Sequence, residues 1–135
     1  RLDDAYNAFW ESKKSAEAQD KPILIAYADL GLGQLLLVKS KYLQADKLLN
    51  DAEELFKGQN LTKPYVSTLI ALAQTNFALK KTNIAKQKLI LAERLALNIE
   101  LTQDQIILFE LLANIYQQEG DYERAIKTLQ KDLSN

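Results

Sequence analysis

Tyr42-Leu43-Gln44-Ala45-Asp46-Lys47-Leu48-Leu49-Asn50-Asp51-Ala52 is the stretch that decides the fold. Small and apolar residues fall along it at helical spacing, and the pattern returns. Ala45 recurs as Ala85 and Ala125, each 40 residues on, and Ala5 lies 40 residues before it. Leu49 recurs as Leu89 and Leu129, with Phe9 as its predecessor, and Ala52 recurs as Ala92. A fixed period of this size marks stacked helical repeats, in which each unit buries its apolar face against its neighbours.

Composition agrees with that reading. Of 135 residues, 47% are hydrophobic and 26% charged, enough for one domain with a sizeable core. Only four Gly and two Pro are present, so long regular elements with few loops are expected. Leu, Ala, Lys, Gln and Glu dominate, and all are good helix formers. A net charge of −1 argues against a nucleic-acid binder that works by bulk electrostatics. The chain has no Cys and no His, which removes thiolate nucleophiles, disulfides, and the commonest general base and transition-metal ligand. No phosphate-binding Gly-rich loop, nucleophile elbow, zinc motif or EF-hand spacing is present. Asp3-Asp4 and Glu53-Glu54 are adjacent pairs, and adjacent residues on a helix do not face one another. We therefore expect neither an enzyme nor a cofactor. The most hydrophobic run, Ile23 to Val38, is too short to span a membrane and contains Asp29 and Gln34, so it reads as a buried helix.

Taken in order, residues 1–18 read as a helix with Leu2, Ala5, Phe9 and Ser12 on one stripe, widened by Tyr6 and Trp10. Its broad apolar face calls for neighbours on both sides. Because the chain opens on Arg1 already inside a repeat, we expect a piece of a longer protein, with an upstream helix beside Trp10. Gln19-Asp20-Lys21-Pro22 is the first break, and the second helix runs from Pro22 to about Lys39. Gly31 and Gly33 inside it each cost about 1 kcal/mol of helix propensity, which points to a close helix–helix approach. A tight turn at Lys39-Ser40-Lys41 leads to a third helix ending near Lys57. Gly58 is placed as a left-handed helix terminator. A fourth helix covers about Pro64 to Lys80. A turn near Lys81-Thr82-Asn83 follows, then a fifth helix to about Asn98. Thr102-Gln103-Asp104-Gln105 has capping-box form and opens the sixth helix, which ends at Gly120-Asp121. The seventh spans about Tyr122 to Leu133. The expected architecture is one all-α domain over 1–135, a solenoid of seven antiparallel helices. One leading helix (1–18) precedes three hairpins at 22–57, 62–98 and 102–133.

The third hairpin is the clearest copy. Phe109-x-x-Leu112-Ala113-x-x-Tyr116, then Gly120-Asp121-Tyr122, then Ala125-x-x-x-Leu129, resembles the tetratricopeptide repeat. The first hairpin carries Leu32, Gly33, Leu36, Tyr42, Ala45, Leu49 and Ala52, with Asp29 where the family has a large aromatic. The second carries Leu69, Leu72, Ala73, Ala85, Leu89 and Ala92, with Asn76 and Thr82 at usually aromatic positions. The leading helix matches a second helix through Leu2, Ala5 and Phe9, so it would be the tail of a truncated repeat. The period is 40 rather than about 34, as in longer variants found in bacterial regulatory and sensor proteins.

That resemblance implies a protein- or peptide-binding scaffold whose groove is lined by the first helix of each hairpin. Carried over, the groove positions are Tyr27, Leu30, Gln34 and Leu37 on the first. Ile70, Gln74 and Phe77 follow on the second, and Glu110, Asn114 and Gln117 on the third, with Ser67 and Ile107 as companions of Tyr27. Gln34, Gln74 and Asn114 form a row of amides able to serve an extended peptide backbone. Solvated polar positions are the competing account of the amides, and core packing that of Leu30, Leu37, Ile70 and Phe77. No basic residue stands at Leu30, Ile70 or Glu110, so a clamp for a C-terminal carboxylate is not expected. Lys39, Lys41, Lys80, Lys81, Lys86 and Lys88 gather near hairpin turns, where solvated helix ends explain them better than a docking edge.

The resulting expectation is a binding or sensor module of a larger bacterial signalling or regulatory protein. Its partner would be a protein or peptide, with no nucleic acid and no membrane span. A cytoplasmic setting is preferred, and a periplasmic sensor region stays open. The alternative is an architectural spacer, including a homodimer, with an empty groove.

Overall fold

The computed structural model describes residues 1–97 and 102–134, the side chains of Thr102 and of 132–134 excepted. The described residues form seven helices and no strand. These are α1 (Leu2–Ala18), α2 (Pro22–Val38), α3 (Tyr42–Phe56), α4 (Thr62–Ala78), α5 (Thr82–Leu95), α6 (Thr102–Gln118) and α7 (Tyr122–Ser134). The fourth helix starts two residues before Pro64, which the first turn accepts because its N–H groups have no intrahelical partner. The end of the fifth helix expected at Asn98, and the capping contact of Thr102, lie outside the described residues.

One turn recurs between helices. Ser40, Lys80 and Gly120 follow α2, α4 and α6 and take positive φ angles of 61°, 67° and 81°. The N–H groups of Ser40 and Lys41 donate to the carbonyls of Leu37 and Leu36. Lys80 and Lys81 donate likewise to Phe77 and Asn76, and Gly120 and Asp121 to Gln117 and Tyr116. These paired bonds are a Schellman closure, which satisfies carbonyls left open at a helix end. Asp20, with φ 53°, closes α1 in the same manner through Glu17 and Ala16. The α1–α2 connection, expected as a break between units, is thus the same tight turn used within a hairpin. The longer connection runs from Lys57 to Leu61, with Gly58 at φ 80°.

Each helix packs against the next, and α2 approaches α4 as α4 approaches α6; no other pair brings its backbones as close among the described residues, though ion pairs link α3 to α5 (Lys88–Glu53) and α5 to α7 (Lys131–Glu93). Two apolar clusters result. One joins Ala26, Leu30 and Leu36 of α2 with Ala45, Leu49, Ala52 and Phe56 of α3. Another joins Ala85, Leu89 and Ala92 of α5 with Leu108, Phe109, Leu112, Ile115 and Tyr116 of α6 and Ala125 of α7. Helix α4 supplies both, giving Ala71 and Leu72 to the first and Val66, Leu69, Ile70 and Ala73 to the second. Each fully buried Leu contributes roughly 1.5–3 kcal/mol.

The two glycines of α2 sit where its neighbours come closest. A Cβ at Gly33 would lie 2.5 Å from Cγ and Cδ2 of Leu49 on α3, and one at Gly31 would strike the ring of Phe9 on α1. The reading of Gly31 and Gly33 as close-approach positions therefore agrees with the packing. Leu49 is fully buried and has nowhere to move, whereas the half-buried Phe9 can swing outward.

Asp29 is 1% exposed and lies 2.8 Å from the ammonium of Lys13 on α1. Apart from that ammonium, Asp29 Oδ1 has no hydrogen-bond partner among the described residues. Burial pushes the Asp29 carboxyl above the usual carboxylate range; Lys13 pulls it back, and Asp51 and Glu17 add to the rise. Tyr6 and Trp10 meet edge to face at 6.2 Å between centroids. Lys13 lies 5.2 Å over Trp10 and Lys39 5.3 Å over Tyr6, so this chain itself covers part of both rings.

Four outcomes follow from this structure. Gly33→Ala lowers stability by about 1–2 kcal/mol in urea unfolding, because overpacking against Leu49 exceeds the gain in helix propensity. Gly31→Ala costs less than about 1 kcal/mol by the same argument, since Phe9 yields. Ser40→Gly and Lys80→Gly each raise the melting temperature, gaining about 0.5–1 kcal/mol by relieving a left-handed non-glycine residue. Lys13→Met costs about 3 kcal/mol at neutral pH by stranding a buried carboxylate. A raised carboxyl pKa in the folded state means that the folded chain holds the extra proton, so its stability falls as pH rises through that pKa. The penalty of Lys13→Met relative to the parent should therefore shrink as pH falls into the ordinary carboxylate range. A penalty independent of pH would show that Asp29 is not the group responsible.

Candidate functional site

Helices α2, α4 and α6 form a continuous row, since each touches the next first helix directly. Residues at three- and four-residue steps share one face of a helix. On α4 that rule groups Ser67, Ile70, Gln74 and Phe77; on α6 it groups Asp104, Ile107, Leu111 and Asn114, with Glu110 alongside. Between the two helices lies an open depression of about 370 Å³, lined by Gln74, Phe77, Ile107, Glu110, Leu111 and Asn114. Four of the ten positions read from the sequence are thereby brought together: Gln74, Phe77, Glu110 and Asn114.

The other six are placed differently. Leu30 and Ile70 are buried in the two clusters and serve packing, and Leu37 is half-buried against the first cluster. These side chains are drawn inward because α2 and α4 each have neighbours on several sides. Tyr27 is 44% exposed, but its ring meets Phe56 of α3 edge to face at 5.1 Å. It also lines a separate cavity of about 590 Å³ with Phe9, Ser12 and Ala16 of α1. Gln34 and Gln117 are exposed on the same row of helices, outside the depression.

Leu111 completes the apolar lining and was absent from the sequence-derived set. Its signal was its place one turn beyond Ile107, obscured because it also reads as a core position. The depression is held in shape by packing of Phe77, Ile107 and Leu111 against the second cluster. A direct bond adds to this: the Ser67 hydroxyl donates to Asp104 Oδ2 at 2.5 Å, tying α4 to the first turn of α6. Gln74 and Asn114 make no side-chain hydrogen bond among the described residues, so their amides face the depression unsatisfied by protein.

The lysines near the turns do not form one free edge. Lys39 pairs with Asp3 at 2.8 Å, which holds the Asp3 carboxyl below its ordinary value. Lys86 pairs with Glu119, and Lys88 with Glu53, each at 2.8 Å. Lys41, Lys80 and Lys81 are exposed. Among the described residues no three carboxylates converge to hold a metal ion, and no helix is long and apolar enough to cross a membrane. No protein-family model matches the chain, and neither curated proteins nor solved structures contain a match to it.

Proposed function

We propose that the chain is a tetratricopeptide-like solenoid module that binds an extended peptide, or an extended segment of a protein, along the surface of α2, α4 and α6. The observation that carries this reading is the contact pattern of the helices. The backbones of α2, α4 and α6 approach one another in turn, whereas those of α1 and α3, α3 and α5, and α5 and α7 stay farther apart among the described residues, with long side chains bridging α3 to α5 (Lys88–Glu53) and α5 to α7 (Lys131–Glu93). In a curved stack the elements on the inside of the bend approach one another and those outside spread apart. That pattern supports a concave surface on the α2–α4–α6 side, where repeat proteins present extended binding faces. The depression lined by Gln74, Phe77, Ile107, Glu110, Leu111 and Asn114 supports a site there with apolar walls and unengaged amides, the combination that seats a side chain and fixes a peptide backbone.

Selection of a random heptapeptide phage library on the purified chain tests the reading. Selected peptides should lose about tenfold in affinity on Gln74→Ala or Asn114→Ala by fluorescence anisotropy. The melting temperature of either variant should stay within about 2 °C of the parent, since neither side chain is part of a buried network. A chain that forms a stable dimer by light scattering and selects no peptide would instead support the spacer reading.

A further inference from the structure

We infer that the depression between α4 and α6 recognises a cationic peptide, one that carries a lysine or arginine beside an apolar residue; this rests on the peptide-binding reading above. Glu110 at the rim is exposed, and no cation of the chain pairs with it among the described residues. Asp3, Glu53, Glu93 and Glu119, by contrast, pair with lysines brought to them by the fold. Glu110 therefore presents a free anion next to the apolar lining of Phe77, Ile107 and Leu111.

The placement of cations strengthens the case. Of the 17 Lys and Arg residues, only Lys63 lies in α2, α4 or α6, and it stands in the first turn of α4. Helices α2 and α6 hold none, while α6 carries Asp104 and Glu110. A nearly neutral chain has thus put its positive charge on the other helices and on the turns, among them the exposed Lys80 and Lys81 just beyond α4, and left α6 itself acidic. A cation approaching Glu110 meets no like charge on α6, and Lys63, the one on α4, stands at the opposite end of that helix from Phe77.

Spacing defines the ligand further. Glu110 and Asn114 are one helical turn apart, about 5–6 Å between their Cβ atoms. Alternate residues of an extended chain are separated by about 6.6 Å. An extended peptide can therefore set an apolar side chain between Phe77, Ile107 and Leu111 and a lysine or arginine two positions away on Glu110. The backbone between them falls to the amides of Gln74 and Asn114.

The heptapeptide library separates this inference from the reading beneath it. Peptides selected on the parent chain should be enriched in Lys or Arg two positions from an apolar residue, and selection on Glu110→Lys should enrich Asp and Glu instead. Glu110→Gln should weaken a selected peptide about two- to fivefold, the range of a single exposed ion pair. Replacing the peptide's own lysine by norleucine should weaken it to a similar degree without touching the protein. Peptides that lose affinity on Gln74→Ala and Asn114→Ala, yet show no basic enrichment and bind Glu110→Gln unchanged, would overturn the cationic class and leave the peptide site standing. A library that yields no binding peptide would overturn both.

Discussion

The architecture depends on a two-sided grip on α2. Phe9 of α1 seats on Gly31, and Leu49 of α3 seats on Gly33. Residues two apart on a helix point about 200° away from one another, so the two glycines open opposite sides of the same helix. Phe9 and Leu49 are themselves 40 residues apart, so the same repeat position grips α2 from both directions. The counterparts of the glycines on α4 are Ala71 and Ala73, both buried. Sterics at these points set how closely the helices stack. The cost in helix propensity is accepted where the approach is tightest, and relaxes to alanine one unit later.

Polar groups inside the stack follow two different rules. Thr68, Thr75, Asn76 and Thr128 are buried, and each donates to the carbonyl four residues earlier at 2.8 Å. The threonines are thereby satisfied within their own helix, whereas Asn76 also donates to Asp46 Oδ1 of α3 at 3.3 Å. Asp29 has no donor of that kind and depends on a lysine from another helix. It therefore specifies which helix must lie beside α2, a role apolar contacts fill only loosely.

Much of this was legible in the 40-residue register, because period and small-residue spacing are properties of one helix at a time. Seven helices, the close approach at Gly31 and Gly33, and the left-handed Gly58 could all be read that way. The pairing of Lys13 with Asp29 could not, since it requires knowing which face of α1 meets α2. The α1–α2 turn was hidden because Asp20 takes a left-handed conformation that glycine normally announces. At the candidate site, Gln74, Phe77, Glu110 and Asn114, taken from the resemblance, lie around one depression. The register could not tell Leu30 and Ile70, which packing draws inward, from residues left at the surface, and for the same reason it passed over Leu111.

Membership of α4 in both apolar clusters has a consequence for how the molecule opens. A linear stack joined only by nearest neighbours can fray unit by unit from either end. Here the first and second halves share one helix, and its inward-facing residues are divided between them. Loss of either half removes part of the burial that holds α4, and with it part of the support for the other half. Helix α1 is tied to α2 by Phe9 and by the Lys13–Asp29 pair, so its loosening is felt in the first half as well. Backbone amides of α4 should consequently be among the last to exchange with solvent, and the depression beside Gln74 and Phe77 is built on the helix that both clusters share.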